Sequence, residues 1–287
     1  MNSLSTKELR TVVSCYDFLH LSIQTGIEDF TEGIYMGDPN RPYQEAQRLQ
    51  IEYLLDEIGC HEGSCILDIG CGYGTLLESA RERGATAIGI TISQPQVNRC
   101  REKGLDVHLM NYRNIPQEWN NRFDGIVANG SAEHFVQAKE AAAGLQDTIY
   151  RDFFQICHRI IDPSSKNGKL ATTIIHYNKQ VDPKSLLGCP FRHEWGSDDF
   201  HYSMLMNGFG GFYPVKNQLE HCAQGCFTLE HEVDGTHDYH LTSEYWLKQM
   251  QKYVRTHQGA WLGLLGKMLK RPIHTITMLT CLLISKS

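Results

Sequence analysis

The sequence predicts an α/β protein built on a mostly parallel sheet with helices on both faces. Three observations carry that prediction. From residue 65 onward, short apolar runs alternate with helical patterns, as expected of strands buried on both faces. A glycine-rich turn in "CILDIGCGYGTLLESA" (Gly70, Gly72, Gly74) joins the first apolar run to the first of these helices. The helical stretches close on glycine, at Gly84 and Gly104, as helix ends commonly do.

The elements follow in order. Residues 1–63 read as helical; in "RPYQEAQRLQIEYLLDEIGC" Leu49, Tyr53 and Leu54 share a face, with Glu45, Arg48 and Glu52 mostly elsewhere. "CILDIG" is the first strand, "TLLESARERG" a helix and "TAIGITI" the second strand. "PQVNRCREKG" is a helix with Pro95 near its start. "DVHLMN" and "FDGIVANG" are the third and fourth strands, "AAAGLQDTIYRDFFQICHRIID" one long helix, and "GKLATTIIHY" the fifth strand. Regularity fails over residues 178–235, rich in Gly, Asn, His and aromatics; such a long insertion reads as a lid. "LTSEYWLKQMQKYVRTH" is a further helix, and "RPIHTITMLTCLLISKS" reads as a final strand pair or a long edge strand. The chain thus divides into a helical cap (1–63), a core (64–177), a lid (178–235), and a C-terminal helix with strands completing the core (236–287).

Composition narrows the function. Of 287 residues, 41 % are hydrophobic and 21 % charged, as in soluble enzymes. The net charge is −6 and no basic run stands out, which argues against nucleic acid as a partner. The N-terminal "MNSLSTKELRTVVSCYDFLH" lacks the apolar block of a signal peptide, and no stretch has bilayer-spanning length. A cytoplasmic location is expected, with the ten cysteines as reduced thiols. "HCAQGC" has no matching second cysteine pair and the histidines of the lid show no metal-binding spacing, so no metal is expected.

The glycine turn could be a tight strand-to-helix connection and nothing more. A dinucleotide site wants G-x-G-x-x-G and an acid after the second strand. Here the third glycine comes one residue early and "GITISQPQ" carries no acid. Asp68 adds a second signal. A carboxylate inside an apolar strand is costly unless paired, and a cationic or amide-bearing ligand head beside the loop would pair it.

"LDIGCGYG" resembles the first motif of class I S-adenosylmethionine (SAM) methyltransferases. More closely, "GITISQPQ", "GLDVHLMNYRNI", "RFDGIVANGSAEHF", "TTIIHY" and "DYHLTSEYW" resemble, in order and spacing, the cyclopropane fatty acid synthase and mycolic acid methyltransferase family. The likeness runs from about residue 15 to the C-terminus and is weakest over 178–235. It implies a Rossmann-like fold with a seven-stranded sheet, an N-terminal helical segment and an inserted lid. It implies SAM at the glycine loop, with Asp68, Gly70, Gly72 and Gly74 around the methionine part. It implies Tyr16 of "YDFLHLS" facing SAM, Thr91 and Gln96 at the ribose and methionine ends, and Asn111, Tyr112 and Arg113 near the adenine. The family usually carries Asp where Asn111 stands, which alters the adenine contact.

The reaction implied is methyl transfer to an electron-rich carbon, usually an alkene, through a carbocation-like intermediate that must lose a proton. In the family a bound bicarbonate takes that proton, and the side chains holding it match Glu133, His176 and Tyr239. The family's N-terminal Tyr-Ser-Cys-Gly-Tyr reads "FTEGIY" here, placing Glu32 at the cysteine position. A carboxylate beside an anion site repels the anion. Glu32 is therefore expected either to replace bicarbonate as base or to fix a cationic group of the substrate.

The lid aromatics Phe191, Trp195, Phe200, Tyr202, Phe209, Phe212 and Tyr213 suit a cation and an apolar core equally. "GAWLGLLGKMLKRP", with Lys267, Lys270 and Arg271, reads as packing on the sheet, membrane contact being at most peripheral. The expected partners are a small hydrophobic substrate or lipid, and a second copy of the chain in a homodimer. The alternatives are O- or N-methylation of a small natural product on the same fold, or a SAM-binding protein without turnover.

Overall fold

The computed structural model describes residues 27, 29–166, 168–256, 265, 266 and 268–284. Tyr16 and most of the expected N-terminal cap lie outside them. Helix α1 (Tyr43–Glu57) precedes β1 (Cys65–Ile69), α2 (Thr75–Glu82), β2 (Thr86–Thr91), α3 (Gln94–Glu102), β3 (Asp106–Leu109) and β4 (Gly125–Asn129). Then follow α4 (Ala138–Ala142), α5 (Gln146–Ile160), β5 (Lys169–Thr173), α6 (Pro183–Leu186), α7 (Asp198–Phe209), α8 (Gln218–Ala223), α9 (Thr236–Thr256) and α10 (Pro272–Ile284).

The strands form one parallel sheet in the order β3-β2-β1-β4-β5. Side chains alternate across it as the pleat requires. Ile66 and Val127 pack under Ile51, Leu54, Leu55 and Ile58, while Leu67 and Ile126 face Phe153, Tyr150 and Ile160. Burying each such side chain contributes about 1.5–3 kcal/mol. The α1 face that is buried is Tyr43, Ala46, Gln50, Ile51, Leu54 and Leu55; Leu49 and Tyr53 are only half-buried.

Five expectations are corrected. Five strands, not seven, occur among the described residues. The C-terminal tail is a helix, α10, not a strand pair. Its β-branched residues favour strands weakly, and packing overrides that preference. Thr275, Thr277 and Met278 are buried, α10 lies on α7 and α9, and the His274 ring meets Gly208 O at 3.0 Å. The long helix after β4 is two, split at Gly144, whose φ of +75 lies in the left-handed region. Residues 29–42, expected to be helical, are turns and extended chain laid along α1, and the lid is itself helical through α6, α7 and α8.

Candidate active site

β1 leads to β2 and β3 on one side, and β4 and β5 lie on the other. Strand order therefore reverses between β1 and β4, and a crevice opens at their carboxyl ends, where open α/β sheets bind ligands. Two turns form its floor. Gly70, after β1, has φ +88, and a Cβ there would stand 2.6 Å from Ser131 Cβ in the turn after β4. Only glycine takes this backbone conformation at so close an approach without strain. Ser131 Oγ donates to Ile69 O at 2.8 Å and locks the two turns together.

Above them lies a cavity of about 1150 Å³ including its mouth. Asp68, Gly70, Gly72, Thr91, Gln96, Asn111, Tyr112 and Arg113 all line it, so these sequence-predicted residues converge. Gly74 does not line it: at φ +84 it caps α2, and a Cβ there would meet Leu105 at 2.4 Å. Its role is packing. Asp29, Phe30, Thr31, Ser131, His134 and Phe135 also line the cavity and escaped sequence reading. Residues 29–31 lack any periodic pattern, and His134 was overshadowed by its neighbour Glu133.

The cavity's side chains are held from behind. Thr91 Oγ1 donates to Gln96 Oε1 at 2.5 Å and accepts from Ser93 N–H at 3.2 Å. Asn111 Oδ1 accepts from Arg113 N–H at 3.0 Å. Tyr112 is buried between Phe135 and Phe153, with ring centroids 4.2 and 5.5 Å away. Arg113 donates to Glu140 Oε1 (3.1 Å) and Phe135 O (2.9 Å), so its charge is spent on the wall rather than on a ligand. The His134 ring meets Gly210 O at 3.1 Å, and burial lowers its pKa.

Two carboxyls face the cavity's glycine end. Burial, and then the charge of Asp29, raise Asp68 from 3.8 to about 8. Burial likewise raises Asp29 to about 6, against the hydrogen bond from Thr75. Two more meet beyond Gly130. A Cβ on Gly130 would lie 3.8 Å from Glu32 Oε2 and 4.0 Å from Glu133 Oε1. Glu133 sits on the 3₁₀ turn Ala132–His134, 4 % exposed, and its Oε2 is buried without a hydrogen-bond partner. Burial, and then Glu32, raise its pKa to about 8. Burial raises Glu32 too, eased by Thr173, and Gln50 Nε2 donates to its Oε1 at 3.3 Å. Gly33 fixes this segment: its N–H donates to Thr242 Oγ1 at 3.0 Å, and a Cβ there would strike Ala46 at 2.6 Å.

The structure therefore brings Glu32 to Glu133. Ile175 N–H, one residue before His176, bonds the Glu133 carboxyl, while the His176 and Tyr239 rings themselves meet Tyr177 O and Trp246. His176, past the end of β5, has Nδ1 3.2 Å from Tyr177 O and bears electrostatically on Asp234. Tyr239 lies in the first turn of α9, 36 % exposed and edge-on to Trp246, which in turn packs edge-on to Phe30 of the cavity wall. The lid aromatics build a core of their own: Tyr177 packs on Tyr202, Phe212 and Tyr213, and Phe200 on Phe191 and Trp195. None of them lines the cavity.

The family model for mycolic acid cyclopropane synthetase matches residues 30–259. Cyclopropane mycolic acid synthase 2 of Mycobacterium leprae (strain TN) is 28 % identical over 225 residues, which cover 71 % of this chain and 67 % of that protein. A probable fatty acid methyltransferase of Pseudomonas putida is 34 % identical over 116 residues, 37 % of this chain and 29 % of that protein's length. Among solved structures, the cyclopropane synthase MmaA2 from Mycobacterium tuberculosis superposes with a TM-score of 0.73 over 99 % of this chain and 95 % of its own, at 18 % identity. The mycolic acid cyclopropane synthase CmaA1 complexed with SAH and CTAB gives 0.65 over 96 % and 94 %, also at 18 % identity. At these identities the structural likeness establishes the fold.

Proposed function

From the premise that this chain belongs to the mycolic acid cyclopropane synthetase family and is a SAM-dependent methyltransferase, we propose that it methylates an electron-rich carbon of a hydrophobic small molecule or lipid, with Glu133 and Glu32 receiving the proton that the methylated carbon must lose. The observation that carries this reading is the buried, unpartnered Glu133 Oε2 in a carboxyl pair beside Gly130, at the wall of the cofactor cavity.

The cavity suits SAM. Its glycine end offers the orphaned carboxyl of Asp68 to a cationic head, Thr91 and Gln96 offer neutral polar groups to hydroxyls, and Tyr112 offers a flat apolar wall to a purine ring. When bound, SAM supplies the methyl group. The chain's own task is then to position the acceptor and manage the proton. Two buried carboxyls this close resist ionising together, so near neutral pH the pair holds one proton and presents one basic oxygen. A base poised near the working pH is the efficient one. Glu32 also makes the site negative, which disfavours the bicarbonate expected from the family resemblance. His176 directly follows Ile175, whose backbone N–H bonds the Glu133 carboxyl, and the proton is assigned to the carboxyl pair itself.

The test is turnover in carbon-dioxide-depleted buffer with and without added bicarbonate. Equal rates are expected; a strong bicarbonate requirement overturns the carboxyl pair as base. A second reading, N- or O-methylation, is favoured by one observation: among the described residues no cation is salt-bridged to Glu32 or Glu133, so the pair would also hold and deprotonate an amine. Loss of a single deuterium from a labelled alkene acceptor, alongside a product heavier by one methylene, selects carbon.

A further inference from the structure

We propose that Gln50 and Thr173 are positioning residues of the proton-accepting site: their hydrogen bonds to Glu32 keep the Glu32–Glu133 pair singly ionised, so that one oxygen stays ready to take the proton. This rests on the reading of that pair as the base, and neither side chain lines the cofactor cavity.

Gln50 stands on the buried face of α1 with Ala46, Ile51 and Leu54, and is 6 % exposed. An amide on such a face is costly unless it is bonded. Gln50 Nε2 donates to Glu32 Oε1 at 3.3 Å. Thr173, the last residue of β5, reaches the same carboxyl from the sheet. Its Oγ1 accepts from Gly130 N–H at 2.9 Å, which ties it to the turn that leads to Glu133. A hydroxyl has a single hydrogen to give. Two acceptors face this one: Asn129 Oδ1 at 2.6 Å and the Glu32 carboxyl.

That choice makes Thr173 responsive to the charge of the pair. A carboxylate draws a hydroxyl hydrogen more strongly than a neutral amide oxygen does. With Glu32 ionised, the hydrogen turns to Glu32. When a proton arrives there, the hydrogen turns back to Asn129 Oδ1, and Thr173 Oγ1 accepts from the new acid. The only bonds exchanged are those to the transferred proton. Neutral donors suit this task. Among the described residues no cation is salt-bridged to Glu32, and the titratable groups bearing on it are Glu133, from the turn after β4, and the Tyr43 phenol, from α1. From α9 the segment meets the neutral Thr242, through Gly33 N–H. A full positive charge would hold Glu32 ionised but make it a poor proton acceptor. Two neutral donors stabilise the charge less and leave the pair basic near the working pH.

Infrared difference spectroscopy of the full chain, titrated without acceptor or bicarbonate, tests this. The C=O stretch of a protonated carboxyl stands apart from the carboxylate bands, and its loss in Glu32→Gln and Glu133→Gln assigns it to the pair. In wild type the band should disappear in two steps as pH rises, the lower step marking the first ionisation. Gln50→Leu and Thr173→Val are each expected to raise that lower step by roughly one to two pH units, the effect of losing one hydrogen bond to a charged group. Thr173→Ser keeps the hydroxyl and should keep the wild-type step. Thr173→Val also leaves Gly130 N–H without its acceptor, so near-ultraviolet circular dichroism checks its fold; if it does not fold, Gln50→Leu decides. A wild-type step in either folded variant overturns the inference. So does a shift in Thr173→Ser equal to that in Thr173→Val, which would make shape rather than the hydroxyl the cause. Absent shifts leave the reading of the pair as base standing, whereas a bicarbonate requirement in wild-type turnover brings down that reading itself.

Discussion

Asp68→Asn should make the ligand-free protein more stable, and increasingly so as pH rises. Asp68 is buried on the central strand with no hydrogen-bond donor among the described residues, and its carboxyl is raised from 3.8 to about 8. A raised folded-state value means that the stability tied to the protonated form is complete below 3.8 and is lost as pH climbs toward 8. At pH 7 the unfolded chain gains roughly three pH units of ionisation free energy that the folded chain forgoes, about 4 kcal/mol at about 1.4 kcal/mol per unit. Asparagine has nearly the same shape and the same unfilled hydrogen bonds as the protonated acid, but nothing to ionise. The comparison therefore isolates the charge. Urea unfolding of both proteins at pH 5.5 and pH 8 measures it. The advantage of the variant should widen by about 3 kcal/mol between the two conditions. Saturating SAM should reverse the order, because the variant loses the ion pair. A gap that does not change with pH, or a variant less stable than wild type at pH 8, would refute the reasoning.

Two further predictions concern the site and its floor. Glu133→Gln should lower turnover by about 10²-fold or more, the scale of a lost general base, while SAM affinity by calorimetry stays within about threefold; loss of SAM binding instead would remove Glu133 from proton transfer. Gly70→Ala forces a side chain onto φ +88 and to within 2.6 Å of Ser131. It should cost about 2–5 kcal/mol in urea unfolding and abolish SAM binding, and an unchanged midpoint would contradict the described contact between the two turns.

The sheet was legible because its signals are local. Each strand is a short apolar run, the helices after β1 and β2 close on Gly84 and Gly104, and all five strands fall within the stretches that the pattern marks. The cofactor-lining residues that sequence identified are those attached to these strand ends: Asp68, Gly70, Thr91, Asn111. What failed was non-local. The tail "RPIHTITMLTCLLISKS" has strand-forming residues, but it packs as a helix on α7 and α9. Gly144 inside an otherwise periodic run marks a break that periodicity alone passes over. Asp29 carries no pattern at all; its importance comes from a segment folding back onto Gly72, more than forty positions away. Glu32 was legible only as a departure from a family motif. Its burial beside Glu133 depends on Gly33 packing on Ala46 and on Thr242, which lies 209 positions along the chain.

The four buried carboxyls explain one another. Asp29 and Asp68 line the crevice, Glu32 and Glu133 lie beyond its Gly130 wall, and among the described residues none of the four has a salt-bridge partner. A sheet gains nothing from such an arrangement; each group raises the free energy of the empty protein. They divide into two pairs, one at the turn after β1 and one at the turn after β4, and the contact of Gly70 with Ser131 holds those turns together. On the reading proposed here, the first pair meets the positive head of the methyl donor and the second meets the proton leaving the acceptor. The division follows from charge. A cation that stays bound can neutralise a carboxylate for the lifetime of the complex, whereas a base must remain unneutralised until the acceptor yields its proton. The oxygen without a partner (Glu133 Oε2) therefore belongs with the reaction. Substitutions that relieve the local cost, Asp to Asn or Glu to Gln, should stabilise the empty fold and disable it, the pairing of effects expected where destabilising groups are retained for function.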